Sequence, residues 1–442
     1  MNKNIYDILG VGIGPFNLSL AALSSSVPDC KSIFLDARSH FDWHPGMMLE
    51  GTRLQTPFMS DLVTMADPTN EYSFLNYAKL NDRLYPFYIR ENFFLAREEY
   101  NHYCQWACNR LSNLKFNSCV THIDYDENEA IYWVKTQNTL LDREETYYCH
   151  HLVLGTGTQP YLPDFCSQQE PKVTHSAHYL MNKAELKAST CITVVGSGQS
   201  AAEIFYDLLT DIDVEKYRLR WLTRSPRFFP LEYTKLTLEM TSPEYIDYFH
   251  QLEPEQRRVL IQKQKHLYKG INADLINDIY DLLYIKQLSH DFTVEMMTNV
   301  SVHSLSSEQS QVTLHCLHTE TQHNFELQTQ HIVMATGYEY QLPQFLDGIC
   351  AHLRFDSHGE LDVQRNYSVD RNNKIFVQNV GLHTHGLTSP DLGMVCYRNA
   401  TILNQVLGRT HYKVEKSIAF QQFSPPNCES HLYNATTEHS LE

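Results

Sequence analysis

Two glycine-rich turns, set far apart on one 442-residue chain, constrain this sequence more than any other feature. The first, Gly10-Val-Gly12-Ile-Gly14-Pro15, follows the apolar run Ile5-Tyr-Asp-Ile-Leu and opens the helix-like Asn17-Leu-Ser-Leu-Ala-Ala-Leu. The second, Gly196-Ser-Gly198-Gln199-Ser200-Ala201, follows Cys191-Ile-Thr-Val-Val195 and opens another helical run. Glycines here permit a tight turn and let the main chain approach a pyrophosphate, which the following helix N-terminus attracts. Pro15 replaces the usual third glycine. A first helical turn tolerates it, because its missing N–H has no partner there. Leu154-Gly155-Thr156-Gly157 and Ala335-Thr336-Gly337-Tyr338 are further glycine-bearing strand ends. Short apolar runs bounded by glycine suit parallel strands covered on both faces. The fold class is therefore α/β, with two Rossmann-like dinucleotide-binding domains.

What each turn takes is read from the next strand end. Asp36 closes Ile33-Phe-Leu and fits a carboxylate on a ribose 2′-hydroxyl, as in FAD or NAD. After the second turn, Leu219-Arg-Trp-Leu-Thr-Arg224-Ser225-Pro-Arg227 carries two arginines and no carboxylate, which favours a 2′-phosphate. One plain and one phosphorylated ribose imply FAD plus NADPH, and so hydride transfer to a flavin. Residues from about Glu253 to Leu288 have helical spacing, with Pro243 and Pro254 as helix starts, and those from Thr293 to Gln330 alternate as β. This predicts an FAD-binding domain from 1–164 and 331–423, an NADPH-binding domain from 165–235 and 293–330, and a smaller helical substrate-binding insertion at 236–292. Residues 424–442 read as a disordered tail.

Bulk properties exclude other classes. A net charge of −17 disfavours nucleic acid and anionic membrane as partners. No apolar run reaches the ~18 residues of a membrane span, and MNKNIYDILGVGIG has no signal-peptide core. Eleven scattered cysteines without a Cys-x-x-Cys pair suit a reduced, cytoplasmic protein. His383 and His385 lie in a loop with Gly381, Gly386 and Pro390, so no metal is expected.

The blocks Trp43-His44-Pro45-Gly46-Met47, Leu54-Gln55-Thr56, Asp67-Pro68-Thr69, Arg97-Glu-Glu-Tyr100, Gly196 to Glu203, Ala335-Thr-Gly-Tyr338 and Thr384-His385-Gly386 resemble the siderophore N-hydroxylases that act on lysine, ornithine or diamines. The resemblance spans roughly residues 5 to 410. It implies FAD at Gly10, Gly12, Gly14, Pro15 and Asn17, flanked by Trp43, His44, Met47 and Gln55, with Thr336, Gly337 and His385 close by. NADPH is expected at Gly196, Gly198, Gln199, Ser200, Arg224 and Arg227. Trp43 and His44 also read as ordinary packing residues. The family's chemistry adds O2 at the flavin C4a and passes one oxygen to a neutral primary amine, so no side chain is named as catalytic acid or base. Family members also suggest a homotetramer.

Substrate choice is where this sequence departs. Amino-acid-specific members carry Gln-x-x-x-x-Lys-Asp-Leu, with the lysine near the substrate carboxylate, whereas here Gln55 is followed by Ser60-Asp61-Leu62. A buried carboxylate without a partner costs several kcal/mol. A diamine such as putrescine or cadaverine, or histamine, therefore fits better. Lys269 as a substitute cation keeps lysine and ornithine open. Asp61 and Glu50 are candidates for a diamine's second ammonium, and Asp61 reads equally as a helix cap. A flavin diaphorase or redox-sensing binding protein shares both nucleotide sites and differs in yielding no hydroxylamine.

Overall fold

The computed structural model describes residues 3–166, 172–215, 217–289, 292–308 and 311–425. The expected tail, apart from 424 and 425, lies outside the described residues. Strand Ile5–Val11 sits mid-sheet because its side chains are apolar on both faces. Ile8 enters one core with Leu18 and Leu23, while Leu9 and Val11 enter another with Val134 and Leu152. Parallel neighbours Ser32–Leu35 and Arg143–Leu154 flank it, and Leu114–Lys115 extends the first side. Along its other edge, Arg143–Leu154 pairs antiparallel with Ile131–Asn138 and, at its end, parallel with Ile375–Val377.

The second sheet is wholly parallel, in the order Val173–His175, His331–Met334, Cys191–Val195, Arg218–Leu222, Val294–Met297. Helix Gln199–Glu215 covers one face through Ala201, Phe205 and Leu208. The other face is covered by an antiparallel sheet, Val300–Glu308, Gln311–His318 and His323–Thr329, packed through Val312, Leu314 and Cys316. One boundary needs correction. The expected junction at 330/331 falls inside this sheet, since His331–Met334 pairs with strands on both sides. The chain crosses between the sheets where Gln159–Pro160 pairs antiparallel with Tyr338–Glu339.

Pro243 and Pro254 each begin a helix, Pro243–Gln251 and Pro254–Lys263. The helical stretch is not one body. Phe249 packs with Leu387 of the first domain, whereas Ile279 of helix Ala273–Ser289 joins the core under the second sheet. Among the described residues no helix is long and apolar enough to cross a membrane.

Candidate active site

A cleft of about 1180 Å³ runs from the first glycine turn to the helical stretch. Gly12 has φ +87°, and a Cβ there would lie 2.3 Å from the Gly155 carbonyl oxygen, so only glycine permits this crossing. At Gly10 a Cβ would enter the Phe34 ring. Gly14 differs: φ is −87° and a Cβ would meet nothing within 4 Å. Asn17 Nδ2 donates to the carbonyls of Gly12 at 2.8 Å and Val11 at 3.2 Å, beneath the turn that Pro15 continues into the helix. Asn17 Oδ1 and Thr56 Oγ1 border the cleft, buried and without a hydrogen-bond partner among the described residues. An open cradle at a helix N-terminus, edged by unpaired polar atoms, fits a dinucleotide pyrophosphate.

Asp36 also borders the cleft, but the protein occupies its oxygens. They accept from Ile13 N at 2.7 Å and from Arg38 N, Nε and Nη2 at 2.8, 3.0 and 2.8 Å. Burial works to raise its pKa, yet these bonds to Arg38 and Ile13 hold it below the usual value. As placed, Asp36 fastens the turn.

Trp43 stands edge-on to Tyr100 at 5.2 Å and to His44 at 5.0 Å, and both Trp43 and His44 face the cleft. Burial, helped by the Arg97 charge, pushes the His44 imidazole down to about 4, so it is neutral at neutral pH. Met47 is a correction: its apolar side chain is buried in the second domain's core with Tyr179 and Leu186, away from the cleft. Gln55 borders the cleft and reaches Gln199 Oε1 at 3.4 Å. Gln199 ties three regions together, because the same oxygen accepts from Asn272 N at 2.8 Å and its Nε2 donates to Glu203 at 2.9 Å. Glu203 in turn forms a bidentate pair with Arg97 at 2.8 and 3.0 Å, both side chains largely buried. Arg97 Nη1 also donates to the Met47 carbonyl at 2.7 Å.

At the second turn a Cβ on Gly196 would strike the Ala335 carbonyl at 2.4 Å, while Gly198 faces only the Lys269 carbonyl at 3.6 Å. Ser200 lies in the first turn of the following helix. Arg224 and Arg227 are exposed, and neither has an ion pair among the described residues. Lys269 is the next correction. It belongs to this turn, not to the substrate end of the cleft, and partial burial with the charges of Lys265 and Arg224 lowers its pKa.

Asp61 is corrected too. Its buried carboxylate accepts from Val63 N, Thr64 N, Thr64 Oγ1 and Phe74 N at 2.6–3.0 Å, so it fastens the turn at 63–64 to the start of the Phe74–Leu80 helix, whose N-cap is Ser73, and no face is left for a ligand. Burial still pushes its pKa up against those bonds. Glu50 is exposed and outside the cleft. Ser60 does border the cleft, and a residue the sequence reading missed stands beside it. Asp391 Oδ1 and Ser60 Oγ lie 3.2 and 3.5 Å from the point a Cβ on Gly393 would take. Among cleft-lining carboxylates, Asp36 pairs with Arg38 and Glu232 with His266, whereas among the described residues Asp391 accepts only the Gly393 N–H, at 2.7 Å. Burial raises its pKa, opposed by that N–H and by Arg398.

Three more expected contacts lie outside the cleft. Thr336 Oγ1 donates to the Tyr161 carbonyl, and the Gly337 carbonyl accepts from Tyr161 N and His175, so both close the crossing between the sheets. His385 is buried against Tyr367, with ring centroids 4.6 Å apart, and Nδ1 bonds Thr384 at 2.9 Å. His383 bonds the Leu361 carbonyl at 2.8 Å.

A family model, L-lysine 6-monooxygenase/L-ornithine 5-monooxygenase, matches residues 4–340. The chain is 57% identical over 427 residues to a putrescine N-hydroxylase of Shewanella oneidensis, covering 97% of this chain and 86% of that one. It is 33% identical to an L-lysine N6-monooxygenase of Escherichia coli, over 96% of this chain and 99% of the other. Among solved structures, that of DfoA, a cadaverine monooxygenase of Erwinia amylovora bound to FAD, matches with a TM-score of 0.94 and 52% identity, over 96% and 99% of the two chains. With both nucleotide turns and the continuous cleft in place, the chain belongs to the L-lysine 6-monooxygenase/L-ornithine 5-monooxygenase family and is an FAD- and NADPH-dependent N-hydroxylating monooxygenase.

Proposed function

We propose that the chain hydroxylates one amine of a small aliphatic diamine, putrescine or cadaverine, with NADPH and O2, for a siderophore. The observation that carries this reading is Asp391, a carboxylate that forms no ion pair among the described residues, beside Ser60, at the position where amino-acid-specific relatives keep a lysine. A diamine places its far ammonium on Asp391, whereas an amino acid would set its own carboxylate against that charge. Lys269 gives no relief, since it lies with the second turn.

FAD is assigned to the Gly12–Asn17 cradle with Trp43, His44 and Gln55, and when bound it supplies the transfer of reducing equivalents to O2. The NADPH 2′-phosphate is assigned to Arg224 and Arg227, with Lys269 as a third cation. The remaining tasks fall to this chain's side chains. Asp391 orients the amine, neutral His44 adds no charge, and Met59, Met65 and Leu54 line walls that favour the uncharged, reactive amine over the ammonium. A cytoplasmic setting suits the ten described cysteines, which form no disulfide. A homotetramer is the assembly proposed, with Tyr280, Tyr284, Ile285 and Leu288 exposed along one helix face.

The test is kcat/KM for putrescine, cadaverine, histamine, ornithine and lysine, scored on hydroxylated product. A diamine should rank first; an amino acid in first place would overturn the reading, and NADPH loss with peroxide alone would mark a diaphorase.

A further inference from the structure

Beyond residue 340, where the match to the family model ends, the chain comes back to the mouth of the cleft. Four consecutive residues present their backbone N–H groups to two carboxylates of the helical stretch. Glu244 Oε1 accepts from Ile418 N at 2.5 Å and Ala419 N at 2.9 Å. Glu239 accepts from Phe420 N at 3.0 Å and Gln421 N at 3.1 Å, and from the Gln421 side chain at 2.9 Å. Gln421 also holds the Leu236 carbonyl at 2.6 Å, and the Phe423 ring stands edge-on to Tyr245 at 5.1 Å. Charge-assisted bonds to main-chain N–H groups are stronger than neutral ones. They do not engage the Ile418 side chain, which borders the cleft together with Leu238 and Thr241. The same helical stretch reaches the amine subsite, because Tyr233, just before the Lys235–Leu238 helix, lines the cleft together with Asp391.

We propose that residues 418–423 form a strap that walls the outer end of the amine subsite, with Ile418 limiting amine length and keeping water from the reacting amine. This rests on the diamine reading above. The anchors are hydrogen bonds at the protein surface, so the strap can lift for entry and exit without disturbing either sheet. An aliphatic side chain suits a wall facing the methylenes of a diamine, since it adds apolar contact and offers water no partner.

The experiment compares the full-length holoenzyme with Ile418→Ala, Ile418→Trp and a chain ending at Lys416, on diamines of increasing length. FAD content and unfolding temperature serve as folding controls. Ile418→Ala and the shortened chain should raise KM for the best short diamine about fourfold, the factor for losing roughly one methylene's worth of apolar contact. Both should shift preference to longer diamines and release more hydrogen peroxide per NADPH. Ile418→Trp should shift preference to shorter ones. If the shortened chain is poorly folded, the two Ile418 variants decide alone. Unchanged length preference and peroxide yield in the folded variants overturn the strap. A parent enzyme that hydroxylates no diamine overturns the substrate reading instead, and the strap is then judged by the same peroxide yield with whichever amine of the panel is turned over.

Discussion

Replacing Gly14 with valine separates the cofactor cradle from the fold, because a side chain there meets open cleft and an ordinary backbone conformation. Gly14→Val should fold with the unfolding temperature of the FAD-stripped parent and purify without flavin absorbance; retained flavin would place the pyrophosphate elsewhere. Gly12→Val should instead destabilise the protein itself, through positive φ and the Gly155 carbonyl 2.3 Å away. Asp391→Asn should raise KM for putrescine about 10- to 150-fold, the ~1.5–3 kcal/mol of a charge-assisted bond, with FAD content unchanged. The carboxylate must be ionised to hold an ammonium, and burial sets its pKa above the ordinary value. KM should therefore climb as pH falls through that raised pKa, and the Asn variant should lose this acid limb. Ser60→Lys should likewise depress diamine turnover by placing like charge near that ammonium. The glycines were legible in the sequence because their requirement is local to a turn. Asp391 was not, because its meaning comes from Ser60, a residue far away in the chain, and from its forming no ion pair among the described residues. Asp61 was readable only as a pair of alternatives, ammonium partner or helix cap, and its four hydrogen bonds instead tie a turn to a helix distant in sequence.

Between elements, the contact of most consequence joins the first residue of helix Arg97–Cys108 to Glu203 in helix Gln199–Glu215. Both partners are withdrawn from water, so removing one strands a charge. Arg97→Met should cost about 3–5 kcal/mol of stability in urea unfolding, and adding Glu203→Leu should recover much of it. If the single variant is as stable as the parent, the pair carries no such tension. The strands themselves were legible, since runs apolar on both faces leave few alternatives. The covering of the second sheet by antiparallel strands on one face, and the split of the helical stretch between two cores, depend on tertiary packing that periodicity does not encode.

For the whole molecule, occupancy of each nucleotide site should appear as stability, because a ligand that binds only the folded chain stabilises it by about 2.7 kcal/mol at 100 times its Kd. Stripping FAD should lower the unfolding temperature. NADP⁺ should raise it again in the reloaded parent, but much less in the Arg224→Ala/Lys269→Ala variant, while the FAD effect persists; an equal NADP⁺ response would remove those cations from the site. The crossing strands Gln159–Pro160 and Tyr338–Glu339 also set a schedule. Every strand of the second sheet lies between Val173 and Met334, whereas the first sheet waits for Ile375–Val377 and the cleft for Asp391. On a ribosome delivering the chain from its N-terminus, the inner domain is complete while the outer one still lacks its last strand. Flavin capture is thus the closing event of synthesis, and a ribosome that stalls shortly after residue 340 releases a chain with a finished coenzyme domain and an unfinished flavin site.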